Sequence, residues 1–160
     1  MSYLREYITQ RLSEILSEAV TYKTPDTNKL ADEEHNETIH QSNAIKSGGM
    51  KDTHPAIQKA IHSFAESKPK FKAAMNKSKI QPIHKSANIT NTEIGMGSGS
   101  VEDKTKVNRV KKQIGKSSID RPIVLRHKDP ETGEVHHHLL AGNTRATAVG
   151  YGVQAHHIDV

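Results

Sequence analysis

Hydrophobic side chains gather in three stretches, residues 3–20, 56–75 and 101–160, with polar sequence between them. In the first, Leu4, Ile8, Leu12, Ile15, Leu16 and Ala19 recur at helical spacing. Arg5, Glu6, Arg11 and Glu14 lie off that stripe and Ser2 is placed to cap it, so an amphipathic helix is expected over 3–20. A helix of this length is marginal alone in water, so the stripe needs a surface: its own domain, a partner, or a second copy. Residues 21–50 have few large apolar side chains and no period, and they contain Ser47-Gly48-Gly49, which predicts a loop or linker. Thr53 as cap, Pro55 in the first turn and the stripe Ile57, Ala60, Ile61, Phe64 predict a helix over 54–65. A short basic helix is expected at 71–76, after Pro69, and a weak strand at 80–83.

The last third is patterned differently. Ser100 with Asp103 three residues on forms a capping box for a helix over 101–115, whose buried face is Val107, Val110 and Ile114. The β-branched run 122–127 predicts a strand, Asp129-Pro130-Glu131-Thr132-Gly133 a turn, 134–140 the returning strand, and 155–160 a third strand. Between the last two, an apolar strand ends in Ala141-Gly142 and a small-residue helix runs to Gly150. Runs of helix beside an antiparallel hairpin predict an α+β protein.

That strand-to-helix corner carries the candidate chemistry. Gly142 permits close backbone approach or a positive φ, Asn143 and Thr144 can cap the helix and hydrogen-bond, and Arg145 can fork onto a phosphate. A plain helix cap with a surface arginine is the competing interpretation. Arg109, Arg121 and Arg126 are candidates for secondary phosphate contacts. His138 and His157 can donate hydrogen bonds or move protons. In the run His136-His137-His138 the outer two share one strand face, a chelating spacing, but no acid stands at a firm metal spacing and no metal site is assigned. The glycine-rich run 95–100 lacks the lysine and hydroxyl of a P-loop.

Composition narrows the picture. Of 160 residues, 33% are hydrophobic and 4% aromatic, too few for one core spread over the whole chain. The expected organisation is an N-terminal helical extension with a flexible polar linker over 1–77 and a compact domain over 78–160. The net charge is +5, and residues 68–85 hold six lysines and no acid, a composition that favours polyanions or a solvated surface. The absence of cysteine excludes thiol chemistry and is consistent with a reducing cytosol. No apolar run is long enough to cross a bilayer, and the N-terminus has no secretion-signal core.

Residues 105–160 resemble the ParB/sulfiredoxin-type, or ParB-like nuclease, domain. The resemblance rests on Val107-Asn108-Arg109-Val110-Lys111-Lys112-Gln113-Ile114, Arg121-Pro122-Ile123-Val124-Leu125, Leu139-Leu140-Ala141-Gly142-Asn143-Thr144-Arg145 and Gly150-Tyr151-Gly152-Val153, in that order. It implies a small mixed sheet with helices and a Gly-x-x-Arg box that binds phosphate. It also implies a nucleoside triphosphate with Mg²⁺ or DNA as partner, nuclease or NTP-dependent phosphoryl chemistry, and a setting in the cytoplasm of a bacterium or phage-infected cell. Site residues on that basis are Gly142, Asn143, Thr144, Arg145 and Arg121 for phosphate, with Asn143, Arg145 and His138 as catalytic candidates. The family's reactive cysteine is replaced by Asn143, which excludes sulfinic acid reduction by that route. The Glu-Arg-Arg of CTP-binding members becomes Asn143-Thr144-Arg145, which puts hydrolysis of that type in doubt. The alternative is a non-catalytic interaction protein that uses this fold as a scaffold and residues 3–20 to bind a partner or oligomerise.

Overall fold

The computed structural model describes residues 4, 7, 8, 20–84, 89–90, 101–114 and 116–160. Apart from Leu4, Tyr7 and Ile8, which are helical and exposed, and Val20, which is half-buried and not helical, the expected helix over 3–20 lies outside the described residues, as do the Ser100 cap and the glycine-rich run 95–100.

The chain is α+β. In order, the described elements are α1 (Thr27–Lys46), α2 (Pro55–Glu66), α3 (Lys68–Asn76), β1 (Lys79–Pro82), β2 (Ile89–Thr90), α4 (Val101–Gln113), β3 (Ile123–Lys128), β4 (Val135–Ala141), α5 (Asn143–Val149) and β5 (Gln154–Asp159). The sheet order is β1-β5-β3-β4-β2. The hairpin partners β3 and β4 are antiparallel, β5 runs parallel to β3 and antiparallel to β1, and β2 is parallel to β4.

Strand alternation sorts side chains into two apolar layers. Ile123, Leu125, Leu140 and Ile158 face α1–α3 and pack with Leu30, Ile57, Ile61, Phe64, Phe71 and Met75. Val124, Leu139 and Ala155 face the other way and pack with Ile83, Ile119, Ala146, Val149 and Val153. The boundary expected at 77/78 therefore does not separate two cores: the three N-terminal helices and the sheet share one.

The largest correction concerns residues 21–50. They are not a linker, because 27–46 form a helix of 20 residues. Its buried positions are Leu30, Ala31, Thr38, Gln41 and Ser42, a helical stripe whose second half is polar. Each polar member has a partner. Thr38 donates to the His35 carbonyl at 2.6 Å, Ser42 Oγ lies 2.6 Å from His62 Nδ1, and Gln41 Nε2 donates to the Leu140 carbonyl at 2.7 Å. Asp26 caps the start by accepting from Lys29 N–H. On the outer face Asp32 bonds Lys68 at 3.0 Å and Lys72 at 2.8 Å, so two lysines of the basic run already have a counter-charge.

Capping also differs in detail. The N-cap of α2 is His54, whose Nδ1 accepts from Ala56 N–H at 3.1 Å, while Thr53 is buried one residue earlier. Pro69 does not precede α3 but sits in its first turn, where its missing N–H costs nothing, and Ser67 caps that helix. Val107, Val110 and Ile114 are half-buried as expected, and α4 packs on α5.

Candidate anion-binding corner

β4 feeds α5 through Gly142, which takes φ +88°. A Cβ there would lie 2.8 Å from Pro122 Cα and 3.0 Å from Arg145 Nη2, so both the left-handed backbone and the close approach of the β3 lead-in demand glycine. Helical side chains lean back toward the N-terminus, and Arg145 does so, laying its guanidinium over Gly142, against which Pro122 also packs.

Asn143 and Thr144 do not cap the helix. Gly142 holds the N-cap position and no side chain bonds the first-turn amides from there. The reason is register: Asn143 and Thr144 are already the first two helical residues, too far in to reach back. The first helical hydrogen bond runs from Ala146 N–H to the Gly142 carbonyl, so the earlier amides have no intrahelical acceptor.

Arg145 at this turn and Arg121, next to Pro122, each keep an unmet donor. Arg145 Nε and Arg121 Nε are both buried without a hydrogen-bond partner among the described residues. Arg121 is otherwise well held: its Nη1 donates to the Lys23 carbonyl at 2.9 Å, and its guanidinium sits 4.7 Å from the Tyr22 ring centroid. The segment around Tyr22 is fixed in turn by a parallel bridge to Ile119 and by Gln154 N–H donating to Tyr22 Oη. A small cleft of about 170 Å³ opens beside Arg121, with Lys23, Lys29, Glu33, Asp120 and His156 around it.

The helix absent from the sequence reading supplies the acid of the site. Glu34 on α1 is half-buried, and burial raises its pKa above the usual carboxylate range. Arg145 is the main opposing influence, while Glu37, Glu33 and Asp120 push the same way as burial. The corner thus sets a guanidinium against a carboxylate that is reluctant to ionise. Once 27–46 is recognised as helical, Leu30, Glu34, Glu37 and Gln41 fall on one face, which was the available signal.

His138 is not part of this corner, and the expectation that it moves protons there is corrected. It points into the helix layer with no exposed surface. Its Nε2–H donates to Gln41 Oε1 at 2.8 Å and its Nδ1 accepts from Thr90 Oγ1 at 3.0 Å, so neither nitrogen is left for a ligand. Burial pushes its pKa down to about 4. Arg126 pairs with Asp159 at 3.3 Å on the surface, and Arg109 is exposed on α4. Among the described residues, no group of three or more His, Cys, Asp or Glu side chains is arranged to hold a metal ion, and no helix is long and apolar enough to cross a membrane.

Comparison with family models, with curated proteins and with solved structures finds no match to this chain.

Proposed function

We propose that the corner formed by Gly142, Arg145 and Arg121 binds the phosphate of a nucleotide or nucleic acid. The observation that carries this reading is the Arg145 Nε–H, which is buried without an acceptor among the described residues. A buried unmet donor costs about 1–3 kcal/mol, more when charged, and a phosphate oxygen relieves it. The first-turn amides of α5 add donors on the same side. The resemblance to the ParB-like family supports the same location, with Asn143 and Thr144 beside the ligand.

A nucleoside triphosphate suits this donor set. Mg²⁺ would arrive on its phosphates, as is usual for that ion, rather than in a cage of protein ligands. Glu34, whose carboxyl feels the Arg145 charge, is the candidate to take a proton from an attacking hydroxyl. Nuclease or phosphoryl-transfer chemistry in a cytoplasmic bacterial or phage setting therefore stays a proposal from resemblance. For a nucleic acid, the exposed Arg109, Lys111 and Lys112 of α4 extend the cationic surface from the helix that packs on α5.

The test is calorimetric titration of the full chain with ATP, CTP and ADP in the presence of Mg²⁺. Binding is expected to weaken about tenfold or more in Arg145→Ala. Equal binding by variant and wild type removes the corner from the account. Cleavage of plasmid DNA with Mg²⁺ or Mn²⁺ adds catalysis to binding.

A second reading, a protein partner or homo-oligomer through residues 3–20, is favoured by Leu4, Tyr7 and Ile8. They lie at helical spacing and are 60%, 62% and 48% exposed. Sedimentation of a chain lacking residues 1–20 tests it, since an unchanged mass would dismiss self-association through that helix.

A further inference from the structure

The sheet face turned away from α1–α3 carries a cleft of about 550 Å³, in the size range of small-molecule sites. Its apolar wall comes from Ile83, Ile89, Val124 and Val135. Its polar groups are mostly donors: His84 after β1, Arg126 on β3, His137 on β4 and His157 on β5, against one carboxylate, Glu134.

Strand pairing explains why these groups meet. β3 lies between β4 and β5, Arg126 pairs with His137, and Val124 pairs with His157. The four side chains therefore share one face in two adjacent rows. The His137 and His157 rings stand edge to face, centroids 6.1 Å apart at 89°. His157 Nδ1–H is committed to the Ala155 carbonyl at 3.0 Å, which fixes its ring, and burial lowers its pKa, so it presents a neutral aromatic surface. Arg126 is tied to Asp159 by an exposed ion pair, a weak interaction that an incoming anion displaces at little cost.

We infer that this cleft binds a nucleoside monophosphate unit, free or at the end of a single strand. The flat base would lie against Val124 and the imidazoles, and the phosphate would take Arg126 and His84. Imidazole and guanidinium planes are established stacking partners for unpaired bases, and an apolar wall beside a guanidinium and several imidazoles suits an aromatic phosphate ester better than a bare anion. The inference is independent of the corner reading: Pro122, just before β3, and Arg126 within it are four residues apart, about 13 Å by strand rise.

The experiment uses the full chain and exposed rim residues, so that folding is preserved. AMP, CMP and a 5′-phosphorylated oligonucleotide are titrated calorimetrically into wild type, Arg126→Ala, His84→Ala and Arg145→Ala, with adenosine and inorganic phosphate as separate arms. Unchanged thermal unfolding of the variants shows that the fold is kept. The expected result is mononucleotide binding weakened about tenfold by Arg126→Ala and less by His84→Ala, each more than by Arg145→Ala. Binding of the oligonucleotide alone identifies a strand end as the source and supports the same chemistry. Inorganic phosphate binding as tightly as AMP overturns the proposal. So does binding lost in Arg145→Ala but kept in Arg126→Ala, which would locate all affinity at the corner. No saturable binding in any arm would reject the cleft proposal.

Discussion

The two faces of the central sheet put neighbouring histidines to opposite use. His138 turns into the helix layer, where Gln41 and Thr90 take both ring nitrogens and no surface remains exposed. His137, one residue earlier, turns to the other face and lines an open cleft with Arg126 and His157. The residue type is the same and the two positions adjoin, so what separates a sealed imidazole from one lining a cleft is strand parity and what packs above it. The corner at Gly142 belongs with the open side in character: its arginines keep buried donors unmet, whereas the helix layer satisfies every polar group described in it around His138.

The sharpest way to break this contrast is to unseal the closed face. Gln41→Leu leaves His138 Nε2–H and the Leu140 carbonyl without their partner, and is expected to cost about 4 kcal/mol, seen as a lower urea midpoint. Removing Gln41 with less than about 1 kcal/mol lost would show that the layer is held by its apolar contacts alone.

Acid should find the same face. His138 titrates near 6.5 unfolded and about 4 folded, so between those values the unfolded chain binds a proton that the native one refuses. Stability is fully present above pH 6.5 and falls by about 3 kcal/mol as pH drops to 4. His156 and His157, also held down by burial, add to the same slope. Denaturation curves of His138→Gln across that range should show a shallower fall, and an unchanged slope would assign it elsewhere.

On the corner, Gly142→Ala forces a Cβ against Pro122 at a positive φ and should cost about 2 kcal/mol while displacing Arg145. The smallest effect belongs to Glu34→Gln. Because burial raises the Glu34 pKa, its charged form is disfavoured as pH rises through and above the usual carboxylate range. The variant should gain about 0.5 kcal/mol at neutral pH, modest because the group is partly screened by solvent, and nothing below pH 4. It should also bind anions more tightly, since the carboxylate opposite Arg145 is gone. Weaker anion binding in this variant would instead make Glu34 part of the ligand's own contacts.

How far the sequence reveals this arrangement depends on which atoms carry the signal. The hairpin, β5 and the helix after Gly142 are legible because their apolar residues alternate at strand spacing or follow a glycine stop. α1 is not legible by the same test, since Thr38, Gln41 and Ser42 stand where leucines would mark a buried stripe. Its burial depends on partners in α2 and β4 that local sequence cannot name. The corner shows the same division. Gly142 and Arg145 are found from the motif, while Glu34 depends on α1 and goes unseen. His138 was misassigned because alternation gives a side chain's face and not what covers it.

Gln41 and the carbonyl it grips are 99 residues apart in the chain. A ribosome adding 5–20 residues per second would leave α1 waiting roughly 5–20 s for β4 to emerge. Its weakly apolar sequence suits that delay: a nascent segment with few exposed leucines has little with which to aggregate before its template is made.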